Sequence, residues 1–332
     1  MSKYGKFFVL FIISCFFISI NIAEAKINYI FFGASSAASS HYSYSVGAAK
    51  AINEYVDNVK VSVVETGASV DNLKRIRAGQ LDLGIGGMKV MYEAWKGLGN
   101  WEKTPYPDLR ILWAYAKTID FIVVREDSGV HKLEDLTGKK FSPGIRGSAT
   151  ESTTKQIFKI LGIEPDYYIG GASDAVKGVK DNRIVGYVKT GVGTQLDAST
   201  LDIMTLTKVR LISMTDKHIE KIRKELPYVS LITVPAGKIN AMPDEADYTN
   251  WGMATVVECL KSFPDDLAYE FVKAIVKGKK YQVDGYPEHR NIDVVQDTPL
   301  LTKVPLHSGA LKAYRELGAQ NIPPQVIPPE AD

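Results

Sequence analysis

Cysteine is nearly absent: Cys15 and Cys259 are the two in 332 residues. That excludes a disulfide framework and a thiolate-built metal site. Cys259 lies in VVECLKSF and reads as a buried small hydrophobe. Histidine is scarce as well. None of His41, His131, His218, His289 and His307 forms an HExxH pair, so a zinc hydrolase is not indicated. There is no GxSxG elbow, no GxGxxG and no Walker loop ending in GK[ST]. Charge of one sign is missing too, with 40 basic against 38 acidic residues and a net charge of +2. A phosphate-binding surface concentrates Lys and Arg, so nucleic acid is excluded as a partner. Beyond residue 20 no segment is long and apolar enough to cross a bilayer.

Hydrophobic residues, at 45% of the chain, suffice for a sizeable core or two packed domains. The first 25 residues differ from the rest. Lys3 and Lys6 precede the apolar run FFVLFIISCFFISI, Phe7 to Ile20, and Ala23-Glu24-Ala25 has the small-x-small form cut by signal peptidase. The run is shorter than the ~20 residues of a membrane span. Residues 1–25 are therefore expected to be a signal peptide, with a nearly neutral mature chain starting at Lys26 in the periplasm.

From there apolar β-favouring runs alternate with helical patterns, the signature of an α/β fold. INYIFFG (27–33) predicts a strand. Val46, Ala49, Ile52 and Val56 follow at helical spacing. KVSVVETG predicts a second strand. Ser69 is the candidate N-cap of the next helix, which Gly79 ends, and LDLGIGG returns to the sheet. A second set runs from LRILWAYAK (109–117), through a separate short run at Phe121–Val124, to KKFSPG, the helix SATESTTKQIFKILG, YYIGG, a helix through Ala175–Val179, and RIVGYVKTG. SVDNLKRIRAGQLDLGI and SDAVKGVKDNRIVGYV share one outline of cap, helix, turn and strand, a hint of two lobes built alike. Helices are expected over Asp216–Leu226 and Pro264–Gly278, with crossings between lobes near 117–120 and 226–230. The tail PPQVIPPEAD reads as having no role in the core.

Three strands lead into hydroxyl-rich helix starts: FFG into ASSAASSHYSYS, VVETG into ASVDN, and FSPG into IRGSATESTTK. Each offers free backbone N–H groups and Ser or Thr hydroxyls, and such starts favour an anion by ~0.3 to 1 kcal/mol. Several converging at the carboxyl ends of strands would hold a carboxylate with few arginines. Arg146 is the best-placed cation. Ser39, Ser40, Ser43, Ser69, Ser148, Thr150 and Ser152 also read as plain turn and cap residues. Trp95, Trp113 and Trp251 read as core or domain-face residues.

Three segments resemble the TAXI family of TRAP-transporter solute receptors: ETGASVDNLKRIRAGQLDLGI (65–85), VVREDSGVHKLEDLTGKKFSPGIRGSATE (123–151) and VPLHSGALKAYRELG (304–318). The resemblance implies a type II periplasmic binding protein fold with two α/β lobes joined by hinge strands. Residues 26–117 with 229–332 would form one lobe and 118–228 the other. It further implies a monomeric receptor, without cofactor or enzymatic turnover, that captures a small carboxylate such as glutamate, a glutamine-like compound or a dicarboxylate. A TRAP permease in the membrane would be its partner. Carried over by position, Ser36, Ser39, Ser40 and Tyr44 fall on the ligand side, Thr66 and Gly67 on a TGG element, and Ser148, Ala149 and Thr150 on a second cluster whose customary glycine is Ala149. Gly191 lies in a GVP-like stretch that lacks the proline. An enzyme acting on an organic acid and a sensory protein without a permease are the alternatives, and the first would need a general base in the cleft.

Overall fold

The computed structural model describes residues 27–331. The signal-peptide expectation lies outside these residues. Chain order begins β1 (Asn28–Gly33), α1 (Ser40–Tyr55), β2 (Val59–Val64), α2 (Ser69–Arg77), β3 (Leu83–Gly87), α3 (Met88–Lys96) and β4 (Leu109–Arg125). It continues β5 (Lys140–Ser142), α4 (Ala149–Leu161), β6 (Asp166–Tyr167), α5 (Ala172–Lys180), β7 (Gly186–Val192), α6 (Ala198–Met204), β8 (Val209–Leu211), α7 (Asp216–Glu225) and β9 (Ser230–Val234). It closes with β10 (Tyr248–Leu260), α8 (Asp265–Lys277), α9 (Lys279–Gly285), α10 (Val294–Leu301) and α11 (Ser308–Glu316).

The strands form one mixed sheet in the order β2-β1-β3-β10-β4-β7-β5-β6, with β8 paired to β4 and β9 to β10. From either edge the sheet runs second strand, first strand, third strand of its half and then a long shared strand: β2-β1-β3-β10 and β6-β5-β7-β4. β3 is parallel to β1 and antiparallel to β10; β7 is parallel to β5 and antiparallel to β4. The α2–β3 and α5–β7 segments, which share an outline in sequence, thus occupy equivalent places in two similar half-sheets. This is the α/β architecture of periplasmic binding proteins.

Two long strands join the halves. Where two short apolar runs are expected, β4 continues without a break for 17 residues, because Lys117 to Asp120 still find ladder partners. Ala116 and Lys117 pair with β10, and by Asp120 the pairing has passed to β7. The exchange falls at Thr118–Ile119, which pair with both neighbours. β10 is a strand the sequence reading does not assign at all. Its first residues, Tyr248–Gly252, pair with β9, and Gly252–Leu260 pair with β4.

Packing follows the same division. Leu109 to Ala116 of β4 lie in a large cluster with α1, α3, α8 and α11. Farther along, Ile122 and Val124 point to one cluster and Ile119, Phe121 and Val123 to another, the two-residue alternation of a strand covered on both faces. Leu231, Val234, Tyr248 and Trp251 pack in these last two clusters, although the sequence reading groups 229–251 with the first lobe. Trp113 and Trp251 are fully buried. The tail also departs from expectation. Val326 is buried, its carbonyl accepts from Leu306 N at 2.8 Å, and Glu330 grips Arg110 through two hydrogen bonds of 2.6 and 2.8 Å. Pro324 opens a single 3-10 turn, Pro324–Val326, that seats Val326.

Candidate functional site

In an open α/β sheet, ligand crevices form at the carboxyl ends of the strands. Here the ends of β1 and β3 meet α4 and β7 of the other half around a cavity of about 60 Å³. A single water needs a cavity of at least about 10 to 15 Å³, so this one has room for more than one water. Ser39, His41 and Ser69 come from one half, and Ser148, Thr150, Lys189 and Thr190 from the other.

The hydroxyls divide by what they already bond. Ser39 Oγ accepts from His41 N at 3.3 Å, Ser148 Oγ from Glu151 N at 3.0 Å, and Ser69 Oγ from Gly87 N at 3.0 Å. None of these three uses its own hydrogen there, so each retains an O–H for the cavity. Thr150 and Thr190 are the opposite. Their oxygens lie 3.1 and 2.5 Å from Asp120 Oδ1 and 2.5 Å from each other, so one hydroxyl donates to the carboxyl and the other to its neighbour's oxygen. With their hydrogens committed, they offer lone pairs. Asp120 also accepts from Trp251 Nε1 at 2.7 Å. Burial raises its pKa, against the hydrogen bonds from Thr190, Trp251 and Thr150 and the charge of Lys189.

Lys189 is the buried cation of the cavity. Its ammonium lies 3.4 Å from Ser39 Oγ and 3.5 Å from Asp197 Oδ1. Burial works against ionisation of Asp197, but Lys189 and hydrogen bonds from Ser199 and Ser40 outweigh it and hold the carboxyl at about 2. Ser40 Oγ donates to Asp197 Oδ2 at 2.5 Å. The start of α1 is thereby clamped to the β7–α6 connection. A second clamp joins α2 to the loop before α4, where Val70 N and Asp71 N donate to Gly147 O at 2.9 and 3.2 Å.

Of the residues expected from sequence, Ser39, Ser148, Ala149 and Thr150 line the cavity. Ser36, Thr66, Gly67 and Arg146 line a neighbouring open groove that shares Ile145 with it. The Arg146 guanidinium is exposed and donates to Ile169 O at 3.1 Å. Thr66 Oγ1 is committed to Ala34 O at 2.9 Å and Ala68 N at 3.0 Å. Ser40 serves the Asp197 clamp. Tyr44 is fully buried, stacked on Tyr115 at 3.8 Å, with its hydroxyl shared between Gln282 and Trp113. Gly191 packs under Gln195 O, where a Cβ would come within 2.2 Å. The caps divide likewise. Ser148 caps α4 as expected, whereas the α2 cap is Ala68 and Ser69 bonds the start of α3 instead.

Sequence reading misses Lys189, Thr190, Asp120 and the cavity role of His41. A lysine or aspartate on an apolar strand is the signal available, since such a residue has to be paired when buried.

Among the described residues no group of three or more His, Cys, Asp or Glu is placed to hold a metal ion. No helix there is long and apolar enough to cross a membrane. The sequence matches the NMT1-like family over residues 32–318. The chain belongs to that family. Two solved structures are similar to this NMT1-like chain in fold. One is a protein from Bordetella bronchiseptica RB50, 14% identical, with 92% of this chain and 91% of that one covered and a TM-score of 0.52. The other is MatC from Rhodopseudomonas palustris, solved with bound malate, 9% identical over 80% of this chain and 89% of MatC, TM-score 0.52.

Proposed function

We propose that this NMT1-like protein is an extracytoplasmic solute receptor that closes on a small carboxylate and presents it to a TRAP-type permease. One observation carries the reading: Ser39, Ser69 and Ser148 line a small cavity with hydroxyl hydrogens left unspent, beside the ammonium of Lys189. Such a lining suits an oxyanion. The acceptor edge of Thr150 and Thr190 suits a donor on the same ligand, as an amino or hydroxy acid carries; glutamate and glutamine-like compounds stay in the class. MatC, with malate bound in the same fold, is a precedent for a small carboxylate.

Capture follows from the two halves. They would behave as lobes, with Thr118–Ile119 in β4 and Gly252–Met253 in β10 as the crossing points. Ligand between them adds contacts only to the closed arrangement, so binding shifts an open population toward the form that the permease recognises. Export by the N-terminal segment would leave a mature receptor from Lys26. Isothermal titration of residues 26–332 with a broad carboxylate panel tests this. Saturable binding of at least one acid is expected, and no binding to any member would sink the reading. Transport by cells carrying a candidate TRAP permease, with and without this protein, tests the partner.

A further inference from the structure

We infer that His41 serves the cavity as an uncharged hydrogen-bond donor, fixed as the Nε2–H tautomer by the buried hydroxyl of Tyr115, and that it contacts an acceptor atom of the ligand. The identity of that acceptor, a carboxylate oxygen, rests on the function proposed above; the tautomer does not.

The Tyr115 hydroxyl lies 3.0 Å from His41 Nδ1, its hydrogen-bond partner, and Tyr115 is fully buried. Two proton arrangements are conceivable across that contact. If the ring donates from Nδ1, the phenolic hydrogen is stranded in a buried setting and bears the full desolvation penalty. If the phenol donates, both groups are satisfied and the imidazole hydrogen sits on Nε2. The second arrangement wins. Tyr115 also retains its hydrogen, because burial, reinforced by Tyr286, Tyr44 and Glu258, pushes its pKa well above 10.

The other ring nitrogen faces a different environment. His41 lines the cavity with 9% of its surface exposed, and Nε2 has no hydrogen-bond partner among the described residues. His289 and His307 contrast with it, since their Nε2 atoms are sealed away from solvent without a partner. The His41 ring is held edge-on to Tyr115 at 5.9 Å and tilted against Tyr286 at 5.6 Å, so it cannot turn Nδ1 to the cavity without repacking two aromatic rings. Lys189 and Asp197 are the charged groups that act on it. Burial first, then the charge of Lys189, lower its pKa to about 4 against the opposing effect of Asp197. Near neutral pH the ring adds a donor beside Lys189 without adding a second charge. A neutral donor orients an oxyanion without demanding a second counter-charge.

The experiment is side-chain ¹⁵N spectroscopy of the mature protein labelled at histidine, with His41 assigned by its loss in His41→Gln. The unliganded protein at pH 7 is expected to show Nε2 protonated and Nδ1 bare, and Tyr115→Phe to shift the ring toward Nδ1–H. A predominant Nδ1–H form, or a doubly protonated ring, in the wild type would overturn the inference. L-Glutamate and L-malate are then titrated. Saturable binding of either should move the His41 Nε2–H resonance, and His41→Phe, which keeps an aromatic ring but has no donor, should weaken that binding about tenfold. Saturable binding that leaves Nε2–H unmoved removes the ligand contact. No binding by either acid, with Nε2–H in place, supports the donor assignment and counts against these ligands.

Discussion

Side chains in the cavity act through the partners they already have, which makes single substitutions informative. Thr150→Val removes an acceptor of the ligand and leaves Asp120 with Thr190 and Trp251. Affinity is expected to fall by roughly 0.5 to 1.5 kcal/mol, or more for a charged donor, and the lost hydrogen bond to the buried Asp120 carboxyl should lower the melting temperature. Ser148→Ala acts on stability by another route, because Ser148 caps α4. It should cost about 1 kcal/mol of stability as well as affinity. Calorimetry and thermal unfolding of the two variants separate the roles. An unchanged dissociation constant in both would take this helix start out of the site.

Two buried carboxyls give opposite pH dependences. Glu258 is fully buried, and neither oxygen has a partner among the described residues. Burial pushes its pKa well above that of a free glutamate, so the native state holds a proton that the unfolded chain releases. Stability from this site falls as pH rises above the unfolded value, about 4.3, until the raised native pKa is reached. Glu258→Gln is therefore expected to raise the melting temperature at pH 8 more than at pH 4. An equal shift at both would show that the carboxyl is not protonated in the native state. Asp197 has the opposite sign. Held at about 2, it stabilises the native state above about pH 4 and loses that contribution as pH falls toward 2. In Asp197→Asn that acid-side loss should be blunted.

At the scale of elements, the join between β3 and α3 controls how closely the halves meet. Gly87 has ordinary extended backbone, φ −80° and ψ 129°, so conformation does not require glycine. Space does: a Cβ there would lie 2.3 Å from Met253 Sδ and 2.8 Å from Ala149 Cβ. The Met253 side chain can move, but Ala149 is fixed on α4. Gly87→Val should fold with its halves wedged apart, seen as a larger radius of gyration in small-angle scattering with saturating ligand, and bind at least tenfold more weakly. Normal affinity would mean that closure to this contact is not needed. The sequence shows helix spacing and caps well at this scale, as in α4, bounded by Ser148 and Gly162. It shows the long strands poorly. β10 carries Asn250, Gly252 and Glu258 among its apolar residues, so alternation fails where both faces are buried and one neighbour is a polar network.

For the whole molecule, the surprise is the tail. Ending the chain after Gln320 removes Val326 from the main cluster and Glu330 from Arg110. The expected loss is roughly 2 to 4 kcal/mol, from buried apolar surface and a buried guanidinium without its partner. Chemical denaturation of the truncated chain measures it, and an unchanged midpoint would show the tail to be passive. Closure also belongs to this scale. Besides the Ser40–Asp197 and α2–Gly147 clamps, Tyr228 donates to Glu93 at 2.7 Å, while Lys89 is paired with Glu93 at 2.9 Å and bonded to Gln156. These contacts join α3 to α4 and to the segment after α7.

Alternation of apolar strands with amphipathic helices was legible from sequence because it depends on spacings within about ten residues. So were the three hydroxyl-rich helix starts, since strand-to-helix turns are local. Ser148 and Thr150 were singled out for that reason, whereas Ala149 entered only through the family resemblance. Pairing between distant residues decided the rest. Lys189 meets Ser39 across 150 positions, Thr150 and Thr190 gain their polarity from Asp120, and Trp251 completes that carboxylate's shell from β10. A buried charge is tolerable only with its partners, and a hydroxyl faces a ligand with its hydrogen or its lone pair according to which one the protein has already used. Those partners come together only when the two half-sheets share β4 and β10.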